Sequence, residues 1–490
     1  MGKKGFYLLL IGASLFLSHE LELLSSLQGS LGGRLTLTLF HLFIGGLLLS
    51  AYFYLGRAFL YALRLIPERP AERLFLFTLT GSGLTLLGSL ALGSIGLLSF
   101  WTLYPLLLLS LALCLRERKE SSELHCERPI YGPPGILLAI LLMLFALSSL
   151  GLATSPIPQA DPMTYQLAIP KRWLQAGRVF LLVREPLFSG LTGYGELLYI
   201  LPLALIKNPV SSHIVAQLIH LSLGSFLGAI GVYALTLRLS GEGAGRGHLF
   251  GMLAALIFLA LRADVGFERD LTILSVTAKN DLYLMSLELC SLLLLLKGRG
   301  RRWLLLSGAF AGLALGTKIT GVFFIVGVNL ALLLTRRASL RDILIWDLAA
   351  VALGAPYFMK NLIFLGNPFF PLLSGLFPSP HWPEALRALY GYELGFLNRG
   401  KELSAYFLPF LLTLKANPLF VIIPASIPFF RRWREDYGLL FLTTLFLLSA
   451  WSLVTGPRAP FRFILIALPL GCVLSSNILD EIGGPLSRRR

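Results

Sequence analysis

Long uncharged apolar stretches constrain the fold of this chain more than any other feature of its sequence. The stretch 135–153, GILLAILLMLFALSSLGLA, contains no charged residue, and several others approach its length. A helix needs about 20 such residues to cross a bilayer, whereas a membrane β-barrel needs short strands of alternating polarity. Because the chain is also 56% hydrophobic and only 14% charged, the sequence predicts an all-α polytopic integral membrane protein.

Positive charge is concentrated in short clusters between the apolar stretches. A formal net charge of +16 would favour a nucleic-acid partner in a soluble protein, but Lys and Arg clusters between membrane helices are typical of cytoplasmic loops. We therefore predict cytoplasmic loops at these clusters and no nucleic-acid partner. The clusters are RERK at 116–119, KGRGRR at 297–302, RR at 336–337, RRWR at 431–434 and RRR at 488–490.

The alternation of these clusters with apolar stretches predicts about fourteen transmembrane helices, with both termini cytoplasmic. Two long external loops carrying interfacial helices are expected, at about 154–208 and about 358–404. In the first loop, the short apolar segment 192–206 is expected to lie along the membrane surface. The predicted organisation is an N-terminal block of about four transmembrane helices at 1–115, a cytoplasmic linker at 116–134, a catalytic transmembrane core at 135–478 and a basic cytoplasmic tail at 479–490.

Several kinds of chemistry lack their sequence signatures here. The four cysteines show no CxxC spacing, which indicates neither a disulfide framework nor a zinc site. The chain has no Walker A loop, no GxGxxG after a strand, no HExxH and no DxD, so nucleotide-driven chemistry is not predicted. No metal-binding residues are predicted.

One carboxylate stands out because it follows the apolar stretch 135–153 almost immediately. Asp161 begins the sequence DPMTYQLAIPKRW on the predicted external side. Asp followed by Pro162 is a strong signal for a helix start, with Asp as the cap. A carboxylate at a helix N-terminus also suits a general base. Capping and catalysis are compatible, and the residues alone leave both open.

Other polar residues collect on the same predicted side of the membrane. Ionisable residues at a bilayer are costly and indicate function by default, although Lys171 and Arg172 could contact lipid headgroups and Asp281 could only cap its helix. Arginines on the external side are disfavoured by the positive-inside rule, and a phosphate partner would explain Arg458 and Arg462. The candidates are Tyr165, Lys171, Arg172, Glu268, Asp270, Asp281, Lys318, Arg458 and Arg462.

Several stretches, taken in order, resemble the GT-C superfamily of membrane glycosyltransferases. The resemblance is to bacterial relatives of the protein O-mannosyltransferase (dolichyl-phosphate-mannose-protein mannosyltransferase) and aminoarabinose transferase group. The resemblance covers about residues 135–478 and predicts a GT-C-like core there. Residues 1–115 have no counterpart in the family. The stretches are ADPMTYQLAIPKRWLQAGRV, AKNDLYLMSLELCSLLLLL, WLLLSGAFAGLALGTKITGVFF, PYFMKNLIFLGNPFFPLL and RAPFRFILIALP.

The resemblance implies an enzyme that transfers a sugar from a polyprenyl-phosphate donor on the external, periplasmic face of a bacterial inner membrane. The acceptor would be a glycan, a lipid or a protein, and membrane lipid surrounds the enzyme. Asp161 matches the family's acidic residue, which activates or orients the acceptor. Lys318, Arg458 and Arg462 match its donor-phosphate ligands. No cofactor is implied; a divalent metal is compatible with the transfer but not required for it.

The chain departs from the family pattern at one position beside Asp161. Many relatives carry a second acidic residue where this chain has Pro162. A second acid, if the reaction needs one, would come from Glu268, Asp270 or Asp281.

Two other functional classes remain open. A transporter or flippase of a lipid-linked or anionic solute would favour inverted repeats and polar residues near the membrane midplane, and the sequence shows no such repeat. A non-catalytic assembly subunit would tolerate replacement of Asp161. An O-antigen ligase or polymerase would be expected to carry more Arg and His than the 358–404 loop does.

Overall fold

The computed structural model describes most of the chain as α-helix. Its described residues are 31–116, 132–156, 160–240, 244–261, 274–297, 300–388, 435–455 and 465–482, together with residues 407, 410, 411 and 414. No strand occurs among these residues, which confirms the all-α prediction for the part of the chain that they cover.

The helices follow the apolar stretches of the sequence. Those before residue 200 are α1 Leu31–Ala62, α2 Pro70–Ser94, α3 Phe100–Arg116, α4 Pro133–Ala153, α5 Ala168–Ala176, α6 Pro186–Leu191 and α7 Tyr194–Leu197. Those after it are α8 Ile200–Leu205, α9 Pro209–His220, α10 Leu227–Ser240, α11 Ala244–Leu259, α12 Asp281–Lys297, α13 Arg301–Thr317, α14 Gly321–Thr335, α15 Leu340–Leu365, α16 Glu435–Thr455 and α17 Ala467–Ile482. Two π-helical segments, Pro162–Gln166 and Leu221–Phe226, precede α5 and join α9 to α10.

Six helical stretches within the described ranges are long and apolar enough to cross a membrane. Their lengths and compositions identify the chain as an integral membrane protein. The predicted total of about fourteen helices stays a prediction, because the first predicted helix and most of the segment near 405–430 lie outside the described residues. The six are Gly32–Ala62, Pro70–Ser94, Pro133–Ala153, Pro209–Ser240, Leu340–Leu365 and Asp436–Leu453.

Helix α15 is longer than its apolar pattern predicts. The pattern places it at 343–357, yet it continues to Leu365 with Pro356 inside it. A capping box between Ser339 and Asp342 fixes its start, as such boxes do by satisfying free backbone N–H groups. Its end is set by Gly366, which takes the left-handed conformation (φ 70°) that favours glycine.

The chain divides into two compact units. The described parts of Met1–Glu127, Leu147–Leu223 and Ser275–Asn280 form the first unit, and those of Arg128–Ala146, Gly224–Leu274 and Asp281–Arg490 form the second. In the first unit, α1 and α2 meet at Gly56 and Gly81, where an added Cβ would collide with the backbone of the opposite helix. Small residues allow this close approach.

Helices α5–α8 lie in the first unit together with the N-terminal helices. Backbone hydrogen bonds from Val179 N to Gly93 O (2.9 Å) and from Leu98 N to Gly177 O (2.8 Å) join the segment after α5 to the end of α2. The segment 192–206 breaks into α7 and α8, and its apolar side chains are largely buried in this unit. Its placement along the membrane surface stays a prediction.

In the second unit, α13 packs against α15 through glycines. From the sequence, the glycine-rich stretch GAFAGLALGTK predicts close packing between the two helices of the pair within 303–334, but Gly308 and Gly312 face α15 instead. A Cβ at Gly308 or Gly312 would meet the backbone of Trp346 or Ala350 on α15, because the GxxxG face points to that helix.

A hydroxyl network joins three helices of the second unit. Trp346 Nε1 on α15 donates to Ser307 Oγ on α13 at 2.8 Å. Ser307 Oγ lies 2.8 Å from the backbone oxygen of Ser291 on α12, and the two serine hydroxyl groups are 3.0 Å apart. The interhelical hydrogen bonds supplement the glycine packing.

Candidate active site

Asp161 lies eight residues after Ala153, the last residue of α4, and directly precedes the π-helical segment that leads into α5. The end of α4 is held by Gln217, whose Nε2 donates to Ala153 O (3.2 Å) and Ser155 O (2.8 Å). Asp161 has helical backbone angles (φ −58°, ψ −52°) and its side chain makes no capping hydrogen bond. The predicted cap is therefore wrong, since a capping residue normally has extended backbone angles.

The Asp161 carboxylate instead forms an ion pair with a lysine distant in sequence. Its Oδ2 lies 3.5 Å from Lys279 Nζ, and the side chains of the lysine and the aspartate are 4% and 28% exposed. The ammonium group of Lys279 is thus buried, while the carboxylate of Asp161 is partly exposed. A carboxylate in this position can accept a proton or a hydrogen bond from an incoming hydroxyl or amine.

Buried polar groups hold the main chain around Lys279. The Tyr199 hydroxyl donates to Lys279 O at 2.5 Å and lies 3.2 Å from His220 Nδ1. Asn280 Nδ2 donates to Glu196 Oε1 at 2.7 Å, and Glu196 Oε2 accepts from Gly193 N at 2.8 Å. Each of these side chains is at most 3% exposed, so the position of the lysine is tightly determined.

A second ion pair, in the second unit, joins two other predicted site residues. Lys318 follows α13 in an extended conformation, and its Nζ lies 2.6 Å from Asp281 Oδ1. The Asp281 side chain is 1% exposed and that of Lys318 is 19% exposed. Asp281 is the first residue of α12, and its carboxylate binds the lysine that the sequence assigns to the donor phosphate.

The remaining described candidates lie near the surface of the first unit. Tyr165 stacks on Phe188 with ring centroids 5.2 Å apart. Lys171 and Arg172 are exposed on α5, and Arg172 forms an ion pair with Glu185 at 3.1 Å. Their assignment to substrate binding stays a prediction.

Four predicted site residues lie outside the described residues: Glu268, Asp270, Arg458 and Arg462. Among the described residues, no group of three or more His, Cys, Asp or Glu side chains is arranged to hold a metal ion. The phosphate-binding role of the two arginines and the second-acid role of the two carboxylates stay predictions.

Sequence reasoning missed Lys279, Glu196 and Tyr199. Lys279 stands in the motif AKNDLY, two residues before the predicted candidate Asp281. A lysine preceding an apolar helix is typical of a membrane boundary, so the local sequence does not distinguish Lys279 from an ordinary interfacial lysine. Glu196 offered a clearer signal, because it is the one acidic residue within the apolar segment 192–206.

Comparisons with known proteins found similarity in solved structures only. No family model and no curated protein matches the chain. The crystal structure of ArnT from Cupriavidus metallidurans in the apo state is 18% identical, with a TM-score of 0.49 over 72% of this chain and 60% of that chain. The structure of the same protein bound to undecaprenyl phosphate is 16% identical, with a TM-score of 0.48 over 69% of this chain and 60% of that chain. The matched region spans about three fifths of the length of either structure.

Proposed function

We propose that this protein is a membrane glycosyltransferase that moves a sugar from a polyprenyl-phosphate donor to an acceptor. The reaction would take place on the external, periplasmic face of a bacterial inner membrane, with both termini of the chain in the cytoplasm. The GT-C-like stretches, which occur in the family's order along the sequence, support this proposal. The arrangement of Asp161 supports it independently.

The ion pair between Asp161 and Lys279 is the observation that carries the proposal. It places a partly exposed carboxylate beside a buried ammonium group at 3.5 Å, shortly after the membrane-spanning helix α4. Ionisable residues beside a bilayer are costly and usually serve a function. A carboxylate that can accept or orient the acceptor's proton is one of the groups that this transfer requires.

In the proposed reaction, the acceptor oxygen or nitrogen attacks the anomeric carbon of the sugar. The bond between that carbon and the phosphate oxygen breaks, and polyprenyl phosphate leaves with the electron pair. The acceptor's proton passes to the Asp161 carboxylate and from there to water. Asp161 could also act by orienting the acceptor through a hydrogen bond.

Fixed cations would stabilise the negative charge that develops on the leaving phosphate. We assign this role to Lys318, Arg458 and Arg462. Lys318 binds Asp281 but is 19% exposed, and an ammonium group has three protons to donate. A phosphate oxygen could therefore bind Lys318 without displacing Asp281.

Release of polyprenyl phosphate by purified protein in detergent tests the proposal. A panel of polyprenyl-phosphate sugars would be compared for the wild type and for Asp161→Asn. The exposed Glu384 provides a matched control, Glu384→Gln. We expect turnover of at least one donor by the wild type and the control, and a loss of about 100-fold or more in Asp161→Asn.

Folding must be checked in parallel, by thermal unfolding of each variant. Turnover that survives in folded Asp161→Asn would move the acid to another residue, with Asp281 and Glu268 next. A folded wild type that turns over no donor would favour a transporter or a non-catalytic subunit.

A further inference from the structure

Lys279 is a buried cation whose main chain cannot move easily. Its carbonyl accepts the Tyr199 hydroxyl at 2.5 Å, and its N–H donates to Thr277 O at 2.7 Å. The next residue, Asn280, is bound to the buried Glu196 at 2.7 Å. These contacts fix the point from which the lysine side chain extends, and that side chain is 4% exposed.

Asp161 is the more exposed member of the pair. The 3.5 Å between its Oδ2 and Lys279 Nζ exceeds the roughly 2.7–2.9 Å of an optimal charge-assisted hydrogen bond. Its carboxylate is 28% exposed, and its side chain does not cap the following helix. A buried cation therefore faces a partly exposed anion across a gap that is longer than in an optimal ion pair.

A buried ammonium group is stable only with a negative charge close to it. When Asp161 turns to receive the acceptor's proton, Lys279 loses the charge of that carboxylate, and another anion can replace it. The donor carries one in its phosphate, and the charge on that phosphate grows as the sugar leaves.

We propose that Lys279 is an anion-binding residue whose present counter-ion, Asp161, is exchanged for the phosphate of a lipid phosphate. Binding of the phosphate would release the carboxylate for the acceptor, so that the base becomes available only when a donor is bound. The lipid identity of this ligand rests on the proposed function. The competition between Asp161 and a phosphate for Lys279 does not depend on sugar transfer.

Direct binding of a short-chain polyprenyl phosphate to the detergent-solubilised full chain tests the exchange. Asp161→Asn should bind this probe about tenfold more tightly than the wild type, because the competing carboxylate is gone; tenfold corresponds to about 1.4 kcal/mol. Lys279→Met should bind it at least about tenfold more weakly. Lys207→Met, which removes an exposed lysine of the same unit, should bind it as the wild type does.

Unchanged or weaker binding by folded Asp161→Asn would overturn the proposal. If Lys279→Met does not fold, the proposal is still tested by whether Asp161→Asn binds the polyprenyl phosphate more tightly or more weakly than the wild type. Lys279→Arg retains the positive charge and should retain binding. If Lys279 had only a structural role, neither substitution would change the phosphate affinity of the folded protein.

Two further probes identify the source of the phosphate. Inorganic phosphate should bind much more weakly than polyprenyl phosphate, and the corresponding polyprenyl alcohol should not respond to Asp161→Asn. Equal affinity for inorganic phosphate would contradict a lipid ligand. If the binding pattern holds but no donor is turned over, the proposed function fails and the exchange stands. If a donor is turned over but the binding pattern is not seen, the proposed function stands and the exchange fails.

Discussion

The buried carboxylate of Glu196 receives hydrogen bonds at both of its oxygens, from Asn280 Nδ2 at 2.7 Å and from Gly193 N at 2.8 Å. Gly193 and Asn280 are far apart in sequence, and Glu196 connects them inside the first unit. Asn280 directly follows Lys279, so the same carboxylate helps to determine where the lysine that faces Asp161 is located.

We expect Glu196→Gln to destabilise the protein by about 1–3 kcal/mol. A glutamine can accept only one of the two hydrogen bonds through its oxygen, and a buried donor left without an acceptor costs about this much. Thermal unfolding in detergent measures the loss. Glu185→Gln, at the exposed pair with Arg172, should cost less than about 1 kcal/mol, and equal losses in the two variants would argue against the role of Glu196.

The pair between Asp281 and Lys318 should show strong coupling. Asp281→Asn leaves Lys318 without its nearest carboxylate, and breaking a buried pair by removing one partner costs about 3–5 kcal/mol. The double variant Asp281→Asn with Lys318→Met should recover part of that loss, because no charge remains unpaired. If Lys318 binds the donor phosphate, the double variant should regain stability without regaining turnover. Recovery of both would show that the lysine is only structural.

Arg172 allows substrate binding to be separated from stability. Its pair with Glu185 is solvent-accessible, with side chains 47% and 33% exposed, and such pairs contribute about 0–1 kcal/mol. Arg172→Ala should therefore leave the unfolding temperature almost unchanged. A raised KM with an unaltered kcat would support substrate binding at this residue, and wild-type kinetics would remove it from the candidates.

Gly312→Ala should loosen the contact between α13 and α15. The added Cβ would meet the backbone of Ala350, and overpacking of this kind costs about 1–3 kcal/mol. Gly88→Ala is the matched control, because a Cβ there meets nothing within 4 Å, and it should be neutral or slightly stabilising. The prediction fails if the two variants unfold at the same temperature.

The membrane helices were the most predictable part of this structure. The uncharged stretch 135–153 becomes α4, which ends at the predicted Ala153, because bilayer thickness restricts both length and composition. Tertiary contacts were less accessible. The GxxxG pattern predicted that another helix packs closely against α13, but it did not identify that helix as α15. Which helix packs there depends on the arrangement of the whole unit.

The candidate site was predictable only where local sequence determines it. Asp161 attracted attention because it follows a membrane helix, yet its assignment as a cap was wrong, since its partner is the distant Lys279. A single sequence carries no direct record of a contact between such distant residues. Lys279 was overlooked for the same reason.

The contact between α13 and α15 combines two features with different consequences. Glycines bring the helices together, but a glycine stripe by itself looks similar after a shift along the axis. A shift of one turn moves a helix by about 5.4 Å, which breaks the 2.8 Å bond from Trp346 Nε1 to Ser307 Oγ, and lipid offers no replacement partner. The glycines thus determine how near the two helices lie, and the tryptophan determines which turn of one helix faces which turn of the other.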